Sequence, residues 1–590
     1  LQSTVSVGGA AIFASTVTVV GNAVFTADIQ KKTAGTSNFA AGVNAGNSIE
    51  SGGNYNVAIG DEAGTAITTG DSNVAVGYAA LDANSTGIQN IAIGSNALGL
   101  NTVNNNVAVG ASALDANTTG TQNIGIGLNA LGANTTANSN IAIGTNALDA
   151  NTTGASNTAV GENTLGANTT ASNNSAFGAT ALDANTTGTQ NNAFGVNSLT
   201  ANTTGNYNAA FGVGALGANT TGGSNVAIGV QTLDANTTGS YNIAVGMAAL
   251  GANTTAGSNI AVGYNSLATN TTGANNVAIG HDTLVYNTTG ASSVAVGFQA
   301  LDANITGNQN VAIGAYALGA NTTNNNTAVG FSALKVNTSG TGNASLGYSS
   351  LDANTTGSSN TAAGSDSLTA NTTGYANTAV GASAQAATTT GVNNTAVGAS
   401  ALDALTTSHN NTAVGTSALG ATTTGAQNVA LGTSAGASLT TGNYNVLIGY
   451  NSQLAAVGDN NEIVIGISSA TGKGSDTGFI APGGGAMYNG QNSTVWVATS
   501  DRRIKKDIVP NTKGLAAINQ IEPMNFYYKS DEELQEELPG AKEYLPLNKL
   551  TTSAIAQELN LIFPESIERR GEHDIMSVNT DPIFWSMINA

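Results

Sequence analysis

The chain has 590 residues, of which 8% are charged, 75 are glycine and none is cysteine, and its net charge is −20. Charge this sparse, against roughly 25% in ordinary globular proteins, leaves no basic stripe for nucleic acid, and the lack of cysteine excludes a disulfide framework and thiolate metal sites. The charge also divides unevenly: residues 1–499 hold 4 Lys/Arg against 19 Asp/Glu, and residues 500–590 hold 10 against 15. No apolar run approaches the ~20 residues that span a bilayer, and the stretch from Leu1 does not read as a signal peptide, so membrane insertion is not expected.

Residues 1–37 carry a short repeat in which Val5, Val7, Gly9 and Phe13 return as Val17, Val19, Gly21 and Phe25. Alternating apolar residues with Gly between them predict short strands and tight turns. Two copies bury little surface alone, so this is expected to be a shaft or docking segment that needs other chains.

From residue 38 to residue 466 a longer repeat takes over. Its signature is Asn-x-Ala-x-Gly, as in Asn56-Val57-Ala58-Ile59-Gly60, and the closing Gly occurs 26 times from Gly42 to Gly466. Of the 25 intervals, 22 are seventeen residues, two are sixteen and the first is eighteen. A second block follows in each unit, typified by Ala113-Leu114-Asp115-Ala116-Asn117-Thr118-Thr119-Gly120. The alternation in Val-Ala-Ile predicts a strand, Gly a positive-φ stop, and Asn-Thr-Thr-Gly a turn. We therefore expect two short strands and two turns per unit, one coil of a solenoid that buries Val, Ile and Leu only when stacked. About 26 coils at roughly 4.8 Å predict a rod on the order of 120 Å, with aligned Asn residues bonding along it. The residue after Leu alternates as Asp82, Gly99, Asp115, Gly132, Asp149, Gly166, Asp183, which keeps like charges from stacking directly. Phe177, Phe194 and Phe211 share one register and are expected to form an internal ladder.

These repeats resemble the head of YadA-like trimeric autotransporter adhesins. The resemblance implies a left-handed parallel β-roll with three chains to a molecule. It departs in repeat length, and nothing in this chain reads as the membrane barrel anchor of those adhesins. Long Asn-Thr-Thr-Gly arrays also resemble the fibres of marine bacteriophages.

Residues 467–499 are a Gly-rich transition that ends in a strand-like run, Ser493–Ala498. Composition then changes: six of the seven prolines lie beyond residue 500, which predicts a separate domain over 500–590 with helical patterning near Leu515–Ile521 and Ile555–Ile562. The run Ser500-Asp501-Arg502-Arg503-Ile504-Lys505-Lys506-Asp507-Ile508, then Leu515 to Tyr528, then Ile555-Ala556-Gln557-Glu558-Leu559 with Phe563-Pro564-Glu565, resembles the intramolecular chaperone domain of endosialidase tail spikes. The resemblance implies a small α+β domain that trimerises, guides folding of the β-fibre upstream, and cuts itself free before the motif serine. On this chain the cut would fall at Thr499–Ser500, with Ser500 as nucleophile and Lys505 as base. A lysine serves that role when desolvation or nearby Arg502 and Arg503 lower its pKa. The family continues into a long helical bundle that is not matched here, which implies a truncated domain.

No cofactor or metal site is expected. His281 and His409 stand alone at variable coil positions, and His573 beside Glu572 and Asp574 lacks the ligand spacing of a metal site. The Asn-Thr-Thr triplets match a glycosylation acceptor, yet a turn demands the same residues. Lone, widely spaced Asp residues cannot fill a calcium shell. Together these features predict a homotrimeric virion or tail fibre. Other virion proteins would be held by the N-terminal segment and a host glycan or protein receptor would be bound. The alternative is a bacterial surface adhesin or extracellular filament.

Overall fold

The computed structural model describes residues 34–482, 486–490, 497–498, 513–527, 551–570 and 575–578, with 583, 584 and 587. Nearly all of the short N-terminal repeat therefore lies outside the described residues. The chain divides into two units, Leu1–Ala498 and Thr499–Ala590.

The first unit is a parallel β-solenoid. Strands β1 (Phe39–Ala41) to β26 (Ile463–Gly466) each come from one copy of the repeat, and each pairs in parallel with the next. Register is strict: Val57 faces Val74, Ala58 faces Ala75 and Ile59 faces Val76. The coil from Asn106 shows the pattern. Ala108, Ala113, Leu114, Asn117 and Gly120 are buried, while Val107 and Val109 are half-exposed.

Two expectations change here. Each coil has one three-residue strand, and the second block is a chain of turns. Gly110, Ser112, Leu114 and Gln122 have φ of 142°, 53°, 53° and 61°, so left- and right-handed residues alternate through that block. A left-handed Leu costs about 1–2 kcal/mol, and such strain survives only where its surroundings fix it. Here the fixing partner is the next coil: Leu114 N–H donates to Ala130 O at 3.0 Å and Ala116 N–H to Gly132 O at 3.2 Å. The second correction concerns the core. Ala and Leu fill most of it, whereas the Val and Ile at the strand ends point outward. Val464, at the middle of the last coil's strand, and Ile49 and Ile67, in the first two coils, are the buried exceptions. With a three-residue strand one face takes the middle side chain alone, and a small residue, nearly always Ala, fits the narrow interior beside Leu. Leu447 and Val464 take this position only in the last two coils.

Two buried Asn ladders run along the stack, the first from Asn38 to Asn445 with Ser293 as its one exception, the second from Asn84 to Asn371. In the first, Asn73 N–H donates to Asn56 Oδ1 at 2.9 Å and Asn73 Nδ2 to Gly87 O at 2.9 Å. In the second, Asn134 Nδ2 donates to Asn117 Oδ1 at 2.8 Å and to Ala137 O at 3.2 Å. Sequence exceptions mark its breaks. Asn304 and Asn371 each keep a buried Oδ1 with no hydrogen-bond partner. Asn304 precedes a sixteen-residue coil, where Asn321 Nδ2 turns to Thr323 O at 2.9 Å, and Asn371 precedes Thr388 in the ladder position.

The array ends on a charge. Glu462 takes the place of Asn in the first ladder and is fully buried. Its backbone N–H still donates to Asn445 Oδ1 at 2.8 Å. Its Oε1 accepts from the N–H groups of Lys473 and Gly474, and Oε2 from Ala455 N–H at 3.3 Å. A carboxyl side chain suits a last coil that has no further ladder Asn above it and a crossing loop that presents the N–H groups of Lys473 and Gly474. Beyond it β27 (Gly478–Ala481) adds one more parallel strand, and β28 (Met487–Asn489) and β29 (Val497–Ala498) turn antiparallel.

The second unit has helices α1 (Leu515–Ile518) and α2 (Ala556–Ile562). Strand β30 (Pro523–Phe526) pairs antiparallel with β31 (Thr551–Ala554), and β32 (Ile567–Arg570) with β33 (Ile575–Val578). Among the described residues Leu559, on α2, and Phe563, its C-cap, are the buried apolar side chains of this unit, and Pro564 follows the end of α2.

Candidate functional site

The outward face of the array is one candidate surface. Val and Ile at the strand ends make two parallel rows, for example Ile59, Ile93 and Ile143, each 38–39% exposed. Parallel in-register pairing sets every such side chain beside its counterpart in the next coil. Phe177, Phe194 and Phe211 stack as expected, with centroids 4.7 and 4.8 Å apart and planes within 11°. The stack is external, however: Phe177 and Phe211 are 36% and 39% exposed. The third residue of each strand points away from the Ala core, so a ring there cannot enter it.

Behind Leu runs the Asp/Gly row, and its geometry adds a steric reason to the electrostatic one. A Cβ on Gly99 would lie 2.5 Å from Asp115 Oδ1, and one on Gly166 would lie 2.6 Å from Asp183 Oδ1. At these two positions the carboxylate leans over the glycine of the neighbouring coil. Burial pushes the carboxyls of Asp82, Asp115, Asp149 and Asp183 above the ordinary 3.8. Asp115 raises Asp82 further, and Asp149 raises Asp183, so charge is felt two coils away.

The triplet asparagines are unavailable for sugar attachment in the folded array, since Asn117, Asn134, Asn151 and their counterparts up to Asn371 are fully buried in the ladder. His281 is not isolated. It stacks on Tyr264 at 5.1 Å, meets Phe298 at 5.6 Å, and its Nδ1 lies 3.0 Å from Asp282 Oδ2. His409 is exposed, and His573 lies outside the described residues. Among the described residues no three His, Asp or Glu side chains gather as a metal site would, and no helix is long and apolar enough to cross a membrane.

Thr499, Ser500 and Lys505 lie outside the described residues, as do Asp501, Arg502 and Arg503. The second unit nevertheless shows a polar junction just downstream. Lys513 Nζ donates to Ile562 O at 2.7 Å and to Glu565 Oε2 at 2.9 Å, and sits 4.8 Å from the centre of the buried Phe563 ring. It closes the last turn of α2, where orphan carbonyls favour a cation. Desolvation, the largest single influence, raises Glu565, but the hydrogen bond from Lys513, a backbone hydrogen bond and the Lys513 charge together outweigh it and leave the carboxyl below its usual 4.5. A cleft of about 330 Å³ opens beside α2, lined by Ile521, Ala554, Ile555, Leu559 and Ile562 among others.

Sequence reasoning missed Lys513, Glu462 and the company of His281. A signal existed for the second: Glu462 stands where 25 earlier copies carry Asn or, once, Ser293. For Lys513 there was none, because its partners lie some fifty residues away.

No curated protein and no solved structure matches the chain. A family model described as chaperone of endosialidase matches residues 500–568, the region that opens at Ser500 and holds Lys513, α1, α2 and Glu565. This protein is therefore a long parallel β-solenoid that carries an endosialidase-chaperone domain at its C-terminal end.

Proposed function

We propose that this chain is the structural subunit of a virion fibre of the phage tail-fibre type, assembled as a homotrimer and used for attachment to a host surface. The observation that carries the reading is the joining, in one chain, of a 26-strand array to a match with the chaperone of endosialidase. A rod of identical coils can stack in many registers, so a dedicated folding domain at one end answers a need the array itself creates. Homotrimerisation is supported by the outward rows at the strand ends, which are uncharged throughout and rich in half-exposed Val and Ile. Thr158, Ser175, Asn192 and Ala209 and the Thr-rich stretch from Thr327 to Thr412 interrupt one of them. Light scattering of the uncut chain, held whole by Ser500→Ala, is expected to give about 174 kDa in native buffer, three times the 58.0 kDa chain. A monomer mass would remove the reading.

Self-release is part of this proposal. The Ser500 hydroxyl adds to the Thr499 carbonyl while Lys505 accepts its proton and returns it to the departing Ser500 nitrogen. Water then hydrolyses the resulting ester, in a single turnover. The family match beginning at residue 500 supports it. The full chain should yield a fragment of residues 500–590 on a denaturing gel, and Ser500→Ala should not; identical mobility of the two would refute the cut.

A further inference from the structure

One stretch of the rod departs from the rest. Gly263, Gly280, Gly297, Gly314, Gly330 and Gly347 close six successive coils, and the residues after them are Tyr264, His281, Phe298, Ala315, Phe331 and Tyr348. Ala315 would interrupt the row, but Tyr316 fills the gap from a left-handed position with φ of 62°. Its ring stands edge-on to Phe298 at 5.4 Å and to Phe331 at 5.8 Å. Phe331 and Tyr348 then stack at 5.6 Å. The result is an unbroken line of six rings along the rod, on the order of 25 Å long at strand spacing.

The fold does not require these rings. The same position holds Ala111, Thr145, Ala179 and Ser365 in coils of the same geometry. Nor are they hidden, since Tyr264, Phe298, Phe331 and Tyr348 are 41–57% exposed. The one lysine of the array lies with them. Lys335 is the only Lys or Arg between residues 33 and 472, against 17 Asp and Glu. It is exposed and its Nζ stands 5.4 Å from the centre of the Tyr316 ring; Asp352 is near enough to feel its charge, but no carboxylate of the described residues lies within ion-pair distance. Asp282 is engaged by His281.

Every strand in this stretch is already paired on both edges, so an extended peptide cannot be added as a further strand. What the surface offers is a linear series of apolar rings with hydroxyl groups and one fixed cation on an otherwise negative rod. The complementary molecule is a linear polymer of rings that have apolar C–H faces, hydroxyl edges and carboxylates. We propose that the row from Tyr264 to Tyr348, with Lys335, binds a linear acidic polysaccharide. This names a ligand class for the attachment reading, and it is tested on the isolated chain so that the two can fail separately.

The full chain should be retarded in affinity gels containing alginate, hyaluronan or chondroitin sulfate at low ionic strength, and not in gels containing neutral dextran. Lys335→Gln should weaken retardation at least tenfold, as should Phe298→Ala combined with Tyr316→Ala. Tyr375→Ala, an exposed ring outside the row, should change nothing. Sedimentation of each variant checks its assembly. The proposal falls if none of the three acidic glycans binds, if the row variants bind like the parent, or if they sediment as smaller species, which would make the row a subunit contact. Loss of particle adsorption with glycan binding intact would instead count against the attachment reading alone.

Discussion

The array and the C-terminal unit solve the same problem in opposite ways. In the array almost every buried polar group is satisfied by its own copy one coil away, as Asn219 Nδ2 is by Asn202 Oδ1 at 2.8 Å. Contacts are nearest-neighbour, charge is sparse, and strain at each left-handed Leu is held by the coil above. The C-terminal unit instead ties distant segments with unlike groups: Lys513 reaches Ile562 and Glu565 across about fifty residues. A repeating stack gains little from its first coil and more from each later one, and nothing local fixes which coil pairs with which. A compact domain with unique long-range contacts has only one arrangement to find. The difference explains why an array of this kind would carry a folding domain at its end.

If stacking is what makes the array, the most damaging change is one that forces coils apart. Gly212 has φ of 143°, and a Cβ there would lie 2.2 Å from Gly229 O. Gly212→Ala is expected to cost about 3–5 kcal/mol, within the range of the largest single-site effects. The chain should become open to protease near residues 195–229 while coils farther away stay resistant. Gly99→Ala meets only a movable Asp115 carboxylate and should cost far less. Equal protease patterns for the two variants would mean that the coils are not coupled through the backbone. Asn219→Ala comes next. It strands Asn202 Oδ1 and removes one bond each from Gly222 O and Asn236 Nδ2, which keep Asn208 and Gly239 as partners, at about 2 kcal/mol by urea unfolding. Asn371→Ala, whose own Oδ1 is already unpartnered, should cost about 1 kcal/mol less.

The sequence read alone already shows the coil count, the strand registers and the ladders, because each follows from spacing. It fails wherever the outcome depends on which side of a three-residue strand faces in. Val and Ile outnumber Ala in apolar surface, so hydrophobicity argues for burying them, and only the interior width between the strand and left-handed Leu114 decides for Ala108. The second strand was misplaced for a related reason. Ser112 and Leu114 at φ near 53° have no propensity signature, since the conformation is imposed by hydrogen bonds to the next coil. In the candidate site the aromatic row was hidden by Ala315, which breaks the register on paper although Tyr316 restores it in space. The Ser500 and Lys505 proposal rests on motif order.

The C-terminal unit gives a smaller effect that sharpens the contrast. Lys513→Ala removes a half-exposed ion pair and a bond to Ile562 O, worth about 1 kcal/mol together. In a calorimetric scan it should move the transition of this unit and leave that of the array in place. Movement of both by the same amount would show one cooperative unit where two compact units are described.

The smallest effect is one of pH, and it separates the two regions by sign. The array carboxyls Asp82, Asp115, Asp149, Asp183, Asp234, Asp302, Asp352 and Asp403 are all held above 3.8, chiefly by burial. The folded array thus binds protons more readily than the unfolded chain, so its stability should grow as pH falls from 7 through their raised values toward 3.8. Glu565 is held below 4.5, so its contribution is present at neutral pH and lost as pH falls through that lowered value. On acidification toward pH 4 the array transition is therefore expected to rise by a few degrees while that of the C-terminal unit does not. The shift should shrink in an Asp115→Asn, Asp149→Asn double variant, which removes the two carboxylates that push Asp82 and Asp183 up. An array that loses stability over the same interval would mean that its Asp row gains more from neighbouring N–H groups than it loses to burial.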